Sequence, residues 1–259
     1  MQLTTLKTLF TGRHFIELPS VDSTNSHALR LLSEQPPPEG TAILAHFQSQ
    51  GRGQREARWH SEHDMNLMVS VILYPSFLEA GSAFDLNVMI SLAMHDYFSK
   101  ELGSSMRIKW PNDIYLNECK LGGILIENTL RGRFIASSVV GFGINVNQTA
   151  FDAALPNPVS MKLHDGKTRN LDECLCGILN HMEARYIMLR SGHIHTFRKQ
   201  YANCLLGLHE TRTFKHGDEY FQGIIRGVGA DGRLHIEHEN GTLTDYDFKE
   251  IRYELKAEN

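Results

Sequence analysis

Between residues 107 and 146 the chain passes through successive β-leaning segments with almost no room between them. Arg107-Ile108-Lys109-Trp110 and Asp113-Ile114-Tyr115-Leu116 flank a Pro-Asn turn, Lys120 to Glu127 returns as another strand, and Phe134 to Val146 adds a further one. Parallel neighbours need crossovers of about a dozen residues, so segments joined by turns this short pair antiparallel. A mainly antiparallel sheet is therefore the scaffold, and the rest of the chain has to pack around it.

Upstream, His14 to Leu18 reads as a strand. Asp22 or Ser23 caps a helix through Ala28-Leu29 and Leu31-Leu32, which Pro36-Pro37-Pro38 ends. Gly40 opens a β-leaning run, Thr41 to Gln48, that leads straight into a glycine-rich loop, and Asn66 to Tyr74 is a strand stopped by Pro75. Helical spacing is seen over Leu86 to Leu102, and Leu171 to Leu189 and Thr196 to Leu206 also look helical. Near residue 210 the character changes to short alternating strands with Asp231-Gly232 and Asn240-Gly241, both strong hairpin signals. The expected fold is α+β: a mainly antiparallel mixed sheet packed with helices over 1–209, plus a small C-terminal SH3-like β-barrel over 210–259.

Composition narrows the function classes. With 259 residues and a net charge of −4, and with no long basic tract, the chain lacks the electrostatic footprint of a nucleic-acid binder. No apolar run approaches the roughly 20 residues that span a bilayer, and the opening Met1 to Leu6 lacks a basic flank and an apolar signal core, so the expected compartment is the cytoplasm. Cys119, Cys174, Cys176 and Cys204 contain no CxxC pair, and the histidines show neither HExxH nor a zinc spacing with cysteine. Free thiols and no structural metal are the expectation.

Several segments are suited to chemistry. Gly51-Arg52-Gly53-Gln54-Arg55 sets two guanidinium groups on a permissive backbone, as a loop closing over an anion would; an exposed turn has the same composition. Lys109-Trp110-Pro111-Asn112-Asp113 holds Asn112 and Asp113 at a bend made rigid by proline, either to aim them at a ligand or to form an Asx turn over a buried Trp110. Lys120 leads into Gly122-Gly123, which weaken a strand unless something must approach its backbone. Asp22-Ser23-Thr24-Asn25 can cap the first helix or present donors and acceptors to a polar ligand, and Gly141-Phe142-Gly143-Ile144-Asn145 ends a strand with small residues that line a pocket or merely turn.

Taken in order, these segments resemble the biotin–protein ligase family, with Gln48 ahead of the arginine loop and Trp59 behind it. The resemblance spans roughly residues 12 to 150 and implies a class II aminoacyl-tRNA synthetase-like catalytic domain. It also implies a two-step reaction: biotin and MgATP give biotinyl-5′-adenylate, and a lysine of a biotin carboxyl carrier domain in a biotin-dependent carboxylase then attacks it. Lys120 and Arg52 would supply fixed positive charge to the biotin carboxylate and the α-phosphate. Ser23, Thr24, Asn25 and Gln48 would read the ureido ring, with Gly51, Arg52, Gly53, Gln54, Lys120, Gly122 and Gly123 along the rest of biotin. Arg52, Arg55, Trp59, Lys109, Asn112, Asp113 and Asn145 would face ATP, Asp113 near the reacting groups and their Mg2+.

Two departures from the family pattern stand out. Glu56-Ala57-Arg58 follows the second arginine, where the family often has a further glycine, and Arg252 is out of register with the arginine that often ends the barrel, so it is not placed in the site. The first ligase-like strand begins by about residue 14, leaving no room for the helix-turn-helix of the repressor forms, so no DNA-binding role is expected. A monomer or a homodimer fits equally. The alternatives are a lipoate–protein ligase or related acyltransferase of the same fold, and a non-catalytic biotin- or nucleotide-binding module.

Overall fold

The computed structural model describes residues 3–54, 58–248 and 250–254. The larger sheet contains β1 (Phe15–Leu18), β2 (Ala42–Ala45), β3 (Leu67–Leu73), β4 (Met106–Lys109), β5 (Asp113–Leu116), β6 (Cys119–Arg131) and β7 (Phe134–Ile144), in the spatial order β1-β2-β3-β7-β6-β5-β4. The closely spaced segments after residue 106 are β4 to β7, and they pair antiparallel in series through Lys109 with Asp113, Asp113 with Gly123, and Gly123 with Gly143. One pair departs from that pattern. β1 and β2 are parallel, joined by the crossover helix α1 (Thr24–Glu34) as that geometry demands.

β2 and β3 are buried at every residue because both faces of the sheet are covered. Leu67, Val69, Val71 and Leu73 enter the large apolar core, which also receives α2 (Phe84–Leu102), α4 (Leu171–Arg190) and α5 (Ile194–Asn203). Ile72 points the other way, into a small cluster with Ala28 of α1, Ile43 and Val139. That alternation is the period-two pleat of the strand. β6 runs to Arg131, past the expected end at Glu127, because its polar second half still pairs with β7 even though it carries no apolar signal. A 3-10 turn at Ala80–Ser82 and the short α3 (Met161–Asp165) are further elements that periodicity does not reveal.

The second sheet comprises β8 (Thr211–His216), β9 (Glu219–Val228), β10 (Leu234–His238), β11 (Leu243–Tyr246) and β12 (Ile251–Tyr253), in the order β11-β10-β9-β8-β12. Every pair is antiparallel, as an SH3-like unit requires. Gly232 and Gly241 of the two hairpin signals adopt φ of 90° and 80°, in the left-handed region that favours glycine. The small sheet is seated on the large one. Trp110 Nε1 donates to the Gly232 carbonyl at 2.9 Å, Phe84 packs where a Gly232 Cβ would stand at 2.7 Å, and Arg212 forks onto Glu118 at 2.8 and 2.7 Å. Those contacts carry β12 to the end of β4. Among the described residues no helix is long and apolar enough to cross a membrane.

Candidate active site

A cavity of about 370 Å³ opens on the α1 face of the sheet, within the size range of small-molecule sites. Its floor is β6 and β7, where Gly123 lies opposite Gly143 and Leu125 opposite Gly141. Its other walls come from the loop containing Arg52 and Trp59, the start of α1, the β4–β5 bend and β12. The floor glycines admit specific neighbours: a Cβ on Gly141 would stand 2.0 Å from Asn25 Oδ1, and one on Gly143 would stand 2.3 Å from the Trp59 indole.

One end of the cavity is neutral and tightly bonded. Asn25 Nδ2 donates to the Leu125 carbonyl at 3.3 Å and to Glu127 Oε2 at 2.8 Å, while its Oδ1 accepts from Ser70 Oγ at 2.6 Å. Thr24 Oγ1 lies 2.8 Å from Ser70 Oγ and 3.2 Å from Gln48 Oε1, which also accepts from the Thr24 amide at 2.7 Å. Gln48 and Ser23 both line the cavity, and among the described residues the Gln48 amide group and the Ser23 hydroxyl donate to no partner. Ser23 occupies the N-cap position of α1 but makes no side-chain cap bond. Asp22 does not cap α1 either: Arg30 forks onto it at 2.8 Å through both terminal nitrogens and, with further hydrogen bonding from the Ser23 amide, holds its carboxyl well below the usual carboxylate range.

The other end is cationic. Lys120 Nζ pairs with Asp113 Oδ1 at 2.8 Å, directly above Gly123, whose Cβ would come within 3.1 Å of that same oxygen. A bulge between Ile114 and Tyr115 sets Tyr115 opposite Lys120 and Asp113 opposite Gly123. Simple alternation along β6 would turn Lys120 and Gly123 to opposite faces; the bulge brings them to one. Lys109 Nζ sits 5.8 Å from the Tyr115 ring centre and 5.0 Å from that of Tyr253, in cation–π range. Burial draws the Lys109 pKa down, Asp113 opposes that shift and Lys120 adds to it. Arg58 and Arg252 also stand in the wall. Among the described residues Lys109, Arg58 and Arg252 make no ion pair. Trp59 Nε1 and the Tyr253 hydroxyl are buried without a partner among the described residues, and burial pushes the Tyr253 phenol up. Buried polar atoms of this kind call for a ligand or water.

The expected site residues divide accordingly. Ser23, Thr24, Asn25, Gln48, Arg52, Gly53, Gln54, Trp59, Lys109, Asn112, Asp113, Lys120 and Gly123 all line this one cavity. Gly51, Gly122 and Asn145 do not. A Cβ on Gly51 would meet the Trp59 carbonyl at 2.3 Å, and one on Gly122 would meet the Gly143 carbonyl at 2.6 Å, so both are small for packing reasons. Asn145 is buried beneath the site and donates to the Val159 carbonyl at 3.1 Å. Arg55 and Glu56 lie outside the described residues. Arg252, left out of the site by its sequence register, is in the wall with Tyr253. Arg58, Tyr253 and Glu127 carry no local motif; the turn chemistry that builds the small sheet was the available hint that a C-terminal strand could return to the site.

Sheet order, appended small sheet and two-ended cavity define an α+β protein built around one small-molecule site. The model of the biotin/lipoate A/B protein ligase family matches residues 17–145. The biotin–[acetyl-CoA-carboxylase] ligase of Paracoccus denitrificans is 33% identical over 165 residues, covering 61% of this chain and 67% of that protein. The bifunctional ligase/repressor BirA of Escherichia coli (strain K12) is 29% identical over 226 residues, covering 86% of this chain and 68% of BirA. The solved structure of biotin protein ligase from Aquifex aeolicus in complex with biotin and ATP superposes with a TM-score of 0.79 at 25% identity, covering 94% of this chain and 100% of that one. The chain belongs to the biotin/lipoate A/B protein ligase family.

Proposed function

We propose that this protein is an ATP-dependent biotin–protein ligase that joins biotin to AMP and then passes the biotinyl group to a lysine of a biotin carboxyl carrier domain. The observation that carries the reading is the polarity of the cavity, in which a neutral hydrogen-bonding end faces three wall cations that have no carboxylate partner among the described residues. A ureido ring needs fixed neutral donors and acceptors, and Gln48 and Ser23 offer them. A triphosphate needs positive charge, and Lys109, Arg58 and Arg252 offer that. Lys120 stands between the two ends, where a carboxylate oxygen would approach the α-phosphate, and charge building up at phosphorus is stabilised by cations already in place. The unpartnered Trp59 Nε1 and the flat indole suit the adenine end.

Magnesium enters this reading with the nucleotide. Among the described residues no group of three or more His, Cys, Asp or Glu side chains is arranged to hold a metal. Asp113 is the carboxylate in the wall, and Mg2+ commonly combines one or two carboxylates with substrate phosphates. Bound there, the ion would neutralise phosphate charge. The seating of the small sheet across Trp110 supports treating 1–209 as the catalytic unit and 210–259 as an appended unit that completes its wall.

The test is pyrophosphate release from ATP with biotin or lipoate as the acid. Biotin-dependent release, followed by labelling of a purified carrier domain, is expected. Equal or greater release with lipoate would overturn the biotin assignment.

A further inference from the structure

Glu127 belongs neither to the cavity wall nor to any motif, yet three hydrogen bonds converge on its carboxylate. Arg52 donates to it through Nη1 at 3.0 Å and Nη2 at 2.8 Å, and Asn25 donates through Nδ2 at 2.8 Å. The donors come from the arginine loop and from α1, and the acceptor comes from β6, so one side chain ties together the three elements that surround the neutral end. We propose that Glu127 is a positioning residue that holds the loop arginine over the cavity and couples it to the biotin end. The inference rests on the functional reading above.

The geometry explains how such a residue acts without touching substrate. Pairing through both terminal nitrogens fixes the plane of the guanidinium but consumes one N–H on each, leaving the second N–H of each and the Nε–H for an anion in the cavity. Arg52 sits between two glycines, its backbone bridged to Arg58 beside a bond from the Trp59 amide to the Gly51 carbonyl at 3.0 Å, so the fork onto Glu127 is what sets its long side chain. At the other end, Leu125 O and Glu127 can only accept, which obliges Asn25 to turn Nδ2 towards them and Oδ1 towards Ser70. That orientation draws the Ser70 hydroxyl proton to Asn25 Oδ1, with Thr24 Oγ1 2.8 Å from the same hydroxyl, while the Thr24 amide holds Gln48 Oε1 at 2.7 Å. A ligand that settles against Asn25 and one that engages Arg52 therefore meet the same carboxylate. The side chains of Arg52 and Glu127 are 42% and 24% exposed, so a pair this wet contributes little to stability, and its value lies in orientation.

A double-mutant cycle tests the coupling on the full chain. Biotin-dependent pyrophosphate release is measured for the wild type, Glu127→Ala, Arg52→Ala and the double variant, with kcat and both KM values resolved and thermal unfolding followed alongside. Glu127→Ala is expected to lower kcat/KM for biotin about tenfold in the wild-type background but no more than about threefold once Arg52 is gone. Its unfolding midpoint and its KM for ATP should stay close to wild type, and Glu127→Asp, which keeps a carboxylate, should recover part of the loss. If Glu127→Ala does not fold, Glu127→Gln takes its place in the cycle. Losses that multiply, or a single variant that is fully active, would overturn the role of Glu127 while leaving the ligase reading intact. An unmodified protein that releases no pyrophosphate with biotin would overturn the ligase reading, and the role of Glu127 with it.

Discussion

At the neutral end of the cavity Thr24 and Asn25 are hydrogen-bonded to Ser70, Gln48 and Glu127, whereas at the charged end Lys109, Arg58 and Arg252 face the same space with no carboxylate paired to them among the described residues. Both arrangements follow from what burial costs. Polar groups sealed from water are stable only when paired, so a pocket for a neutral polar ring is held rigid by its own network before the ligand arrives. Cations can remain without partners only where water or an anion reaches them, so a phosphate subsite stays partly open and is completed by its ligand. Lys120 spans the two regimes, paired with Asp113 yet still in the wall.

The contrast predicts separable defects. The largest is expected from Lys120→Ala, which should slow adenylate formation in single-turnover experiments by about 10²–10³-fold, the usual cost of removing one group that stabilises developing charge. Biotin binding, measured by calorimetry, should weaken far less; comparable losses in both would merge the two ends into one. Gly141→Ala should follow, because its Cβ would overlap Asn25 Oδ1, and overpacking of this kind costs about 1–3 kcal/mol. That loss should fall on biotin affinity and leave ATP affinity near normal.

Lys109→Met should raise the KM for ATP and leave the KM for biotin unchanged. The same residue predicts a pH effect whose sign is fixed by its lowered pKa. The free site holds the lysine charged only below that lowered value, and phosphate favours the charged form, so ATP affinity is full at lower pH and falls as pH rises through it. The fall should set in below the range of an ordinary lysine, and Lys109→Met should lack it. Gln48→Ala should have the smallest effect, about 0.5–1.5 kcal/mol of biotin affinity for one neutral hydrogen bond, seen as a higher KM for biotin with kcat intact.

Much of this was legible along the chain. The antiparallel run from residue 107, the strand ahead of the arginine loop, and the hairpins at Asp231-Gly232 and Asn240-Gly241 follow from periodicity and turn chemistry. Lys120, Asp113, Arg52 and Gln48 stand out through the order of their motifs. Gly122 and Gly51, expected along biotin, lie against neighbouring carbonyls in the structure. A glycine that admits a neighbouring carbonyl and a glycine that lines a cavity look identical in one dimension, and here Gly122 does the first and Gly123 the second. Glu127 was invisible because a carboxylate in the polar half of a strand carries no periodic signal.

Residue order by itself determined most of the strands and helices, the antiparallel scaffold and the motif-borne part of the site, because those depend on local backbone preference and on side-chain type. Three things were decided only in three dimensions. The β5–β6 bulge turned Lys120 onto the face of Gly123, the seating of Trp110 on Gly232 brought Tyr253 and Arg252 to the end of β4, and the fork onto Glu127 tied Arg52 to Asn25. Each joins residues far apart on the chain or reverses the side a residue faces, and neither spacing nor propensity encodes such contacts until the sheets are packed.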